Sequence, residues 1–313
     1  MVGVLKAAYK VTNWAKYNES LVSRGSLTLW LDEEALAKWE HANHEVKRGR
    51  PFTYSDTCIE CLLVLREMFR LPYRQTEGLG RSLMQLMQVR LRVPDYSSLA
   101  KRAAKLPIDL SITRRRGPID IVVDSTGLKV FGDGEWKTRK YGPSKRRTWR
   151  KIHLAINPAT QEIEAEMLTE NSGHDADQVP DLLEQIPGSI KTFRGDGAFD
   201  KWKVYEVLAM RGIQPIIPPQ HNAKIKQHGN KIADALPRDA AIRQIRRVGR
   251  AAGKQEIGYH VRSLGETAMF RMKTMFGSTL KNRALPNQQT EVRIRSKILN
   301  RLTQRGLPQF KWN

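Results

Sequence analysis

The sequence predicts an α/β fold, a mixed five-stranded sheet with helices, preceded by a small all-helical domain. Residues 119–124 read IDIVVD, a short continuous apolar run typical of a strand that is buried on both faces. From there to residue 283, strand and helix patterns follow in the order three strands, helix, strand, helix, strand, helix. Residues 51–107, in contrast, contain helix patterns only.

The charge of the chain indicates a polyanionic partner. The 313 residues include 54 Lys and Arg against 32 Asp and Glu, a formal net charge of +22. Such a chain repels itself unless it works beside a polyanion, which favours nucleic acid over an anionic membrane surface. No segment is apolar for long enough to span a bilayer and the N-terminus lacks a secretory signal, so we expect a cytoplasmic protein that makes no membrane contact.

The only cysteines, Cys58 and Cys61, have a C-x-x-C spacing that suggests a zinc or redox site. A zinc site needs a second pair of ligands, and no such pair lies nearby in the sequence. We therefore expect two small buried residues on one helix.

The first part of the chain divides into three segments. Residues 1–50 form an N-terminal arm with a short helix that Asp32 caps. Residues 51–107 read as three helices separated by prolines, and the third helix carries Lys101 and Arg102. This pattern predicts a helix-turn-helix-like DNA-binding domain in which both cations contact phosphate, with a plain helical bundle as the alternative. A basic linker follows at 108–118.

The remaining chain contains a predicted catalytic domain at 119–283. Its first strand is predicted to end at Asp124, where residues 125–127 turn, and its fourth strand ends at Asp196. A basic insertion with one basic helix occupies about 220–258, and a basic C-terminal helix or tail occupies 284–313. The strand and helix order, with acids at the first strand, the fourth strand and the last helix, is that of an RNase H-like fold.

The last of these acids lies on a predicted helix over residues 259–273. At about 100° per residue, Tyr259, Arg262, Glu266 and Lys273 fall within one narrow sector, opposite an apolar face. A solvated helix face scatters its charges more widely. The stripe therefore predicts a site in which phosphate-binding groups flank a metal-binding carboxylate.

Asp124, Asp196 and Glu266 are the candidate catalytic residues and metal ligands. Clustered carboxylates repel each other unless a cation neutralises them, and hard oxygen donors favour Mg²⁺ or Mn²⁺. Two ions can activate the attacking oxygen and stabilise the leaving oxygen of a phosphodiester. We expect Asp124 to bind both ions, and Asp196 and Glu266 to complete one each. Any one of these acids taken alone would be read as an exposed, salt-bridged residue.

The segment 138–151, TRKYGPSKRRTWRK, is a second candidate DNA contact. It is rich in Lys and Arg, contains no acid, and interleaves two aromatic residues. We expect Arg146, Arg147 and Arg150 to contact the nucleic-acid backbone. A merely solvated loop is the alternative.

These residues carry a resemblance to a known family. Tyr259, Arg262, Glu266 and Lys273 match the Y-x(2)-R-x(3)-E-x(6)-K signature of bacterial insertion-sequence DDE transposases, and the segments DSTGLKVFG and DGAFD resemble the surroundings of that family's other two acids. The segments YRQTEGLGRSLMQLM and VPDYSSLAKR resemble the N-terminal part of insertion-sequence family five proteins. The likeness covers about residues 9–283.

The resemblance implies a DNA transposase that binds terminal inverted repeats, pairs two ends as a homo-oligomer, exposes 3′-hydroxyls and joins them to target DNA. The residues themselves support a metal-dependent phosphodiester enzyme acting on DNA. An RNase H-like nuclease without strand transfer and a domesticated DNA-binding repressor are therefore alternatives. Trp136 and Trp202 are candidates for stacking on a flipped base, with core packing expected for Trp202.

Overall fold

The computed structural model describes residues 9–43, 51–110, 117–130, 149–227 and 236–312. The chain forms two compact units: Met1–Pro107 with Ile298–Asn313, and Ile108–Lys297. In the described ranges, no helix combines the length and the apolar character that crossing a membrane would need.

The first unit is mainly helical, and some of its helices begin at side-chain caps. The Asp32 carboxylate accepts a hydrogen bond from Ala35 N, and the Ser55 hydroxyl accepts one from Cys58 N. Two short strands from distant parts of the sequence pair antiparallel, β1 (Tyr9–Val11) and β8 (Phe310–Trp312). Its described helices that lie before Pro107 are α1 (Trp14–Ser23), α2 (Glu33–Ala37), α3 (Asp56–Met68), α4 (Tyr73–Leu86) and α5 (Tyr96–Ala103), with a 3₁₀ turn at Leu27–Leu29.

Helix α3 is the centre of this unit. It is buried along most of its length, as its nearly continuous apolar sequence predicts. Cys58 and Cys61 are both buried and unbridged, and burial raises the pKa of the Cys58 thiol. The two cysteines pack as small apolar side chains.

The second unit contains the mixed sheet, and the predicted α/β class with an RNase H-like core is confirmed. The strand order is β4-β3-β2-β5-β6: β2 pairs antiparallel with β3 and β3 with β4, whereas β5 runs parallel to both β2 and β6. A two-residue strand, β7, also pairs with β2, so the sheet has six strands instead of five. The strands are β2 (Ile119–Val130), β3 (Trp149–Ile156), β4 (Ile163–Glu170), β5 (Ile190–Arg194), β6 (Gln214–Ile216) and β7 (Thr279–Leu280).

Strand β2 does not end at Asp124, as the sequence pattern predicted, but continues to Val130. Its register with β3 is unbroken from Val122 to Lys129. Gly127, which suggested a turn, sits against an aromatic ring: a Cβ there would lie 3.2 Å from Trp149 Cε3. This glycine therefore makes room for Trp149 inside a continuous strand.

Helices cover the sheet. Side chains of α6 and α7 form one core with Ile121 and Val123 of β2, whereas Val122 and Asp124 point to the other face, because successive side chains of a strand alternate. Gly249, at φ +84°, interrupts the basic helix expected in the insertion and divides it into α8 and α9. The described helices of this unit are α6 (Val179–Glu184), α7 (Trp202–Met210), α8 (Pro237–Val248), α9 (Arg250–Glu256) and α10 (Ser263–Phe276), together with α11 (Leu285–Gln304), which continues into the first unit.

A buried ion pair anchors the basic insertion to the segment just before α7. Arg238, at the start of α8, donates to the fully buried carboxylate of Asp200 from Nε (2.6 Å) and from Nη2 (2.9 Å). Asp200 also accepts from Gln220 N at 2.9 Å. Asp239 is buried and accepts from Lys226 N and Gln227 N. These contacts hold α8 against the chain that follows β6.

Helix α11 lies in the segment where a basic C-terminal helix was expected, and two of its charged side chains are buried. Arg295 is completely buried and forms an ion pair with Glu291, which lies one helical turn earlier. Glu291 also accepts hydrogen bonds from Lys281 N and Asn282 N. A buried charge is tolerated here because its partner and the backbone amides satisfy it.

Glu166 on β4 is a buried acid with an incomplete set of partners. Arg293 Nη1 lies 3.5 Å from Glu166 Oε1, and Glu166 Oε2 has no hydrogen-bond partner among the described residues. Burial raises the pKa of Glu166 from 4.5 to about 7, and Arg293 only partly opposes this. The proton is therefore bound more tightly in the folded chain than in the unfolded chain.

We expect Glu166→Gln to flatten the dependence of stability on pH. Because the pKa is higher in the folded state, the stabilisation from the protonated Glu166 is complete below about pH 4.5 and is lost as pH rises to about 7. The loss in wild type amounts to roughly 3 kcal/mol in the free energy of unfolding. Urea unfolding at pH 5 and pH 8 measures it. Glu206→Gln, on the exposed surface of α7, is the control and should keep the wild-type profile; an unchanged profile in Glu166→Gln contradicts the prediction.

Candidate active site

Asp124 lies on β2, and Asp196 lies two residues after the end of the adjacent parallel strand β5 rather than at the strand end that the sequence predicted. Val122 of β2 is in register with Arg194, the last residue of β5. Asp124 and Asp196 each lie two residues further along, so both carboxylates stand at the same level of the sheet. Asp196 also caps a 3₁₀ turn, since its Oδ1 accepts a hydrogen bond of 2.8 Å from Ala198 N. Two acids predicted from separate strand ends thus share one edge.

The carboxylate of Asp124 is half-buried in a negatively charged setting. Its Oδ1 accepts from Ser125 N at 2.9 Å and lies 3.7 Å from Arg262 Nη2. Burial raises the pKa of Asp124, the Ser125 amide and Arg262 oppose this, and the charges of Asp196 and Glu266 add to the increase. The site therefore favours a bound cation.

Helix α10 is placed on β2 through a glycine. A Cβ on Gly265 would lie 3.0 Å from Asp124 Cβ and 3.2 Å from Val122 Cγ1, so no larger side chain fits without movement. This close approach positions Glu266, the next residue. Arg262 Nη1 donates to Glu266 Oε1 at 2.6 Å, so one guanidinium faces both Glu266 and Asp124.

Tyr259 and Lys273 complete the stripe at its two ends. Tyr259 and Arg262 belong to a 3₁₀ turn, Tyr259–Arg262, and not to the helix itself, which differs from the single helix predicted over 259–273. Burial raises the pKa of the Tyr259 hydroxyl; Arg262 opposes this and the three acids add to it, so the phenol stays protonated. Lys273 Nζ donates to Thr126 Oγ1 at 2.5 Å.

The donor atoms of this site suit a hard divalent cation. Asp124 Oδ2 accepts no hydrogen bond from any residue that the structure describes, and carboxylate oxygens are the ligands that Mg²⁺ and Mn²⁺ prefer. Glu266 is turned to Arg262, and its side chain remains 61% exposed. Across the described ranges, no three His, Cys, Asp or Glu side chains form a group that could hold one ion in this conformation.

A polar network on the opposite face of β2 supports the strand beside Asp124. Lys151 Nζ donates to Asp175 at 2.8 Å, and His153 Nδ1 lies 3.2 Å from the same carboxylate. Burial acts to raise the pKa of Asp175, but hydrogen bonds from His153, Lys151 and Ser125 outweigh it and hold the pKa well below its usual range. Sequence reasoning missed this network, as it missed Thr126, because the partners come from separate elements.

The basic segment at 138–151 is only partly described. Arg146, Arg147 and Trp136 lie outside the described residues. Arg150 is held in place: its Nε donates to Gln288 Oε1 at 3.0 Å, and its Nη1 lies 3.5 Å from Glu170 Oε1.

Trp202, the other candidate for base stacking, is half-buried against cations. Lys226 Nζ lies 4.6 Å and Arg238 Cζ 5.0 Å from the centre of its ring. The ring therefore packs where the insertion joins the sheet.

In the first unit, the two predicted phosphate contacts of α5 differ in environment. Lys101 is exposed. Arg102 donates from Nη1 to Tyr54 O at 3.0 Å, pairs with Asp56, and has its guanidinium 4.5 Å from the centre of the Phe52 ring. These contacts hold the Arg102 guanidinium in place within this unit.

Comparison with known proteins identifies the family of the chain. Residues 22–133 and residues 115–301 each match a family model described as "Transposase DDE domain". The chain is also similar to the piggyBac transposase in the cryo-EM structure of its synaptic complex with hairpin DNA, with a TM-score of 0.40 and 12% identity over 94% of this chain and 76% of that one. Because the second family model alone covers more than half of the chain and includes all three acids, the chain belongs to the DDE transposase family.

Proposed function

We propose that the protein is the transposase of an insertion sequence, with the Y-R-E-K signature of family five. It binds the terminal inverted repeats, cleaves the DNA at the ends of the element and joins them to target DNA. The observation that supports the proposal is that Asp196 and Glu266 both lie close enough to Asp124 for their charges to act on it. The strand register aligns Asp124 with Asp196, and the Gly265 contact brings α10 to Asp124.

Asp124, Asp196 and Glu266 are the groups that would hold Mg²⁺ or Mn²⁺, with Asp124 shared between two ions. Bound there, such ions activate the attacking oxygen and stabilise the leaving oxygen of the scissile phosphodiester. Glu266 becomes available when Arg262 leaves it. The chain's own contribution is to position the acids on a rigid sheet and helix.

Arg262 and Lys273, the cations that flank Glu266, bind the DNA backbone beside the three acids. Arg262 offers a planar fork to a phosphate, and Lys273 offers a point charge that Thr126 orients. Tyr259, which remains protonated, donates its hydroxyl to a phosphate oxygen. Lys101, Arg102, Arg146, Arg147 and Arg150 belong to the proposed DNA path outside the acid site.

Strand transfer separates this proposal from its alternatives. Pre-cut DNA ends that carry the inverted repeats flanking the coding region are incubated with a supercoiled plasmid and Mg²⁺. We expect joined products, together with a homo-oligomer that pairs two ends. Hydrolysis without joining would indicate a nuclease, and end binding without any cleavage would indicate a repressor.

A further inference from the structure

A polar cleft beside Phe52, the Phe52 cleft, lies in the first unit. It encloses about 620 Å³, within the range of pockets that hold small ligands. One wall comes from the chain on either side of residues 44–50, and the other from the chain that follows α4. The side chains that matter for its chemistry are Glu40, His41, Asn43, Phe52, Arg90 and Arg92.

Both walls of this Phe52 cleft are fixed by buried anchors. The fully buried Trp39 donates from Nε1 to Arg92 O at 2.7 Å, which ties the second wall to the first. The Tyr54 hydroxyl donates to Val93 O at 3.3 Å, and Tyr54 pairs with Glu40 in an antiparallel bridge. The cleft is therefore pre-formed, which reduces the entropy lost on binding.

The aromatic side chain of the cleft is held in place but stays accessible. Phe52 is 49% exposed, although the Arg102 guanidinium lies 4.5 Å and the His41 ring 5.5 Å from the centre of its ring. An apolar ring that is both ordered and half-open offers a platform on which a flat base can stack.

The cations of the cleft are available. Arg90 and Arg92 are both exposed, and neither forms an ion pair with any residue that the structure describes. Asn43 is oriented by its own hydrogen bond to Phe52 O, at 2.8 Å. Two unpaired guanidinium groups beside an aromatic platform match a phosphate and a base of one nucleic-acid strand.

We propose that the Phe52 cleft binds an unpaired nucleotide of a DNA strand, with its base on Phe52 and its phosphate at Arg90 and Arg92. An unpaired nucleotide is favoured because the bases of an intact duplex stack on each other and leave no face for Phe52. The inference rests on the proposed action on DNA and adds a site to it.

The experiment compares two phenylalanines of nearly equal exposure, Phe52 at 49% and Phe69 at 53%. The full-length chain is titrated against labelled oligo(dT) and against a duplex of the same length, with fluorescence anisotropy as the readout. Phe52→Ala should weaken oligo(dT) binding roughly ten-fold and leave duplex binding unchanged, whereas Phe69→Ala should change neither. Equal oligo(dT) affinities of the two variants would overturn the proposal.

The role of Arg90 and Arg92 is tested by the salt dependence of oligo(dT) binding. Arg90→Ala/Arg92→Ala should make the slope of log affinity against log salt for oligo(dT) shallower by about 0.7, as expected when the one phosphate contact that the two arginines share is lost. The exposed pair Lys10→Ala/Lys16→Ala is the charge-matched control and should keep the slope. Equal slopes in the two double variants would contradict the site. Wild-type cleavage and strand transfer are measured in parallel. If the wild type transfers strands but Phe52→Ala keeps the wild-type affinity for oligo(dT), the inference about the cleft is wrong and the proposed function is unaffected.

Discussion

Asp124→Asn is expected to abolish DNA cleavage without reducing the stability of the fold. A carboxylate shared between two ions contributes several kcal/mol to the transition state, so we expect cleavage to fall about a thousand-fold or more. Affinity for end DNA should stay within about three-fold, because phosphate contacts supply most of it. Gel-based cleavage assays and filter binding measure the two quantities.

The free energy of unfolding of Asp124→Asn should stay the same or increase, although its cleavage activity falls. Burial raises the pKa of Asp124 above its unfolded value, and the charges of Asp196 and Glu266 add to this. The favourable contribution of protonated Asp124 is therefore lost as pH rises through the folded pKa, and at neutral pH the ionised form opposes folding. A neutral Asn should leave the free energy of unfolding equal or higher at pH 7 in the absence of metal.

Asp120→Asn is the matched control for this result. Asp120 lies on the same strand and binds Thr192 and Arg194 of β5. It stands away from the acid site, so its replacement should leave cleavage near the wild-type rate. Equal activity in Asp124→Asn and wild type would show that the metal-binding acids have been misassigned.

The sequence predicted the two strand acids for a reason that the structure modifies. Strand β2 continues past Asp124, and it is β5 that ends, two residues before Asp196. The parallel register of β2 and β5 places the two acids at the same level of the sheet. Hydrophobic runs predict which segments form strands, but they do not give this register. Since the apolar run IDIVVD stops at Asp124, where burial also decreases, the pattern did not locate the end of the strand at Val130.

The placement of the last helix shows what hydrophobic periodicity does not detect. The pattern predicted that apolar side chains form the packed face of this helix, yet the contact with Asp124 is made by Gly265. Glycine has no apolar side chain, so its role as the point of closest approach carries no hydropathy signal. The 3₁₀ turn at Tyr259–Arg262 was missed for a related reason, because helical spacing does not distinguish it from the following α-helix.

The surroundings of the predicted DNA contacts outside the acid site were the hardest feature to predict from the sequence. Arg150 binds Gln288, which lies 138 residues away in sequence, and Arg102 binds Asp56 and Tyr54 O. A basic stretch without nearby acids suggests free cations, but tertiary structure supplies partners from distant segments. A local charge pattern therefore does not reveal which tertiary partners hold each arginine.

Gly265→Val is expected to inactivate the enzyme by moving α10 away from the sheet. The added Cβ would meet Asp124 Cβ at 3.0 Å and Val122 Cγ1 at 3.2 Å, both on a central strand that cannot yield easily. Overpacking of this kind lowers the free energy of unfolding by about 1–3 kcal/mol. Because Glu266 is the next residue, a displacement of about 1 Å should reduce cleavage on the order of a hundred-fold.

Gly78→Val separates this steric effect from the general effect of valine in a helix. Gly78 lies within α4, and a Cβ there would meet nothing within 4 Å. Valine is a better helix former than glycine by a few tenths of a kcal/mol, so stability should change by less than about 0.5 kcal/mol, with cleavage unchanged. Urea unfolding and cleavage below the unfolding transition distinguish the two variants.

If Gly265→Val cleaves DNA as well as Gly78→Val, α10 does not close the acid site, and Glu266 cannot be the third acid. Loss of cleavage in a variant that remains folded would instead show that the distance between α10 and β2 controls whether Glu266 can join Asp124.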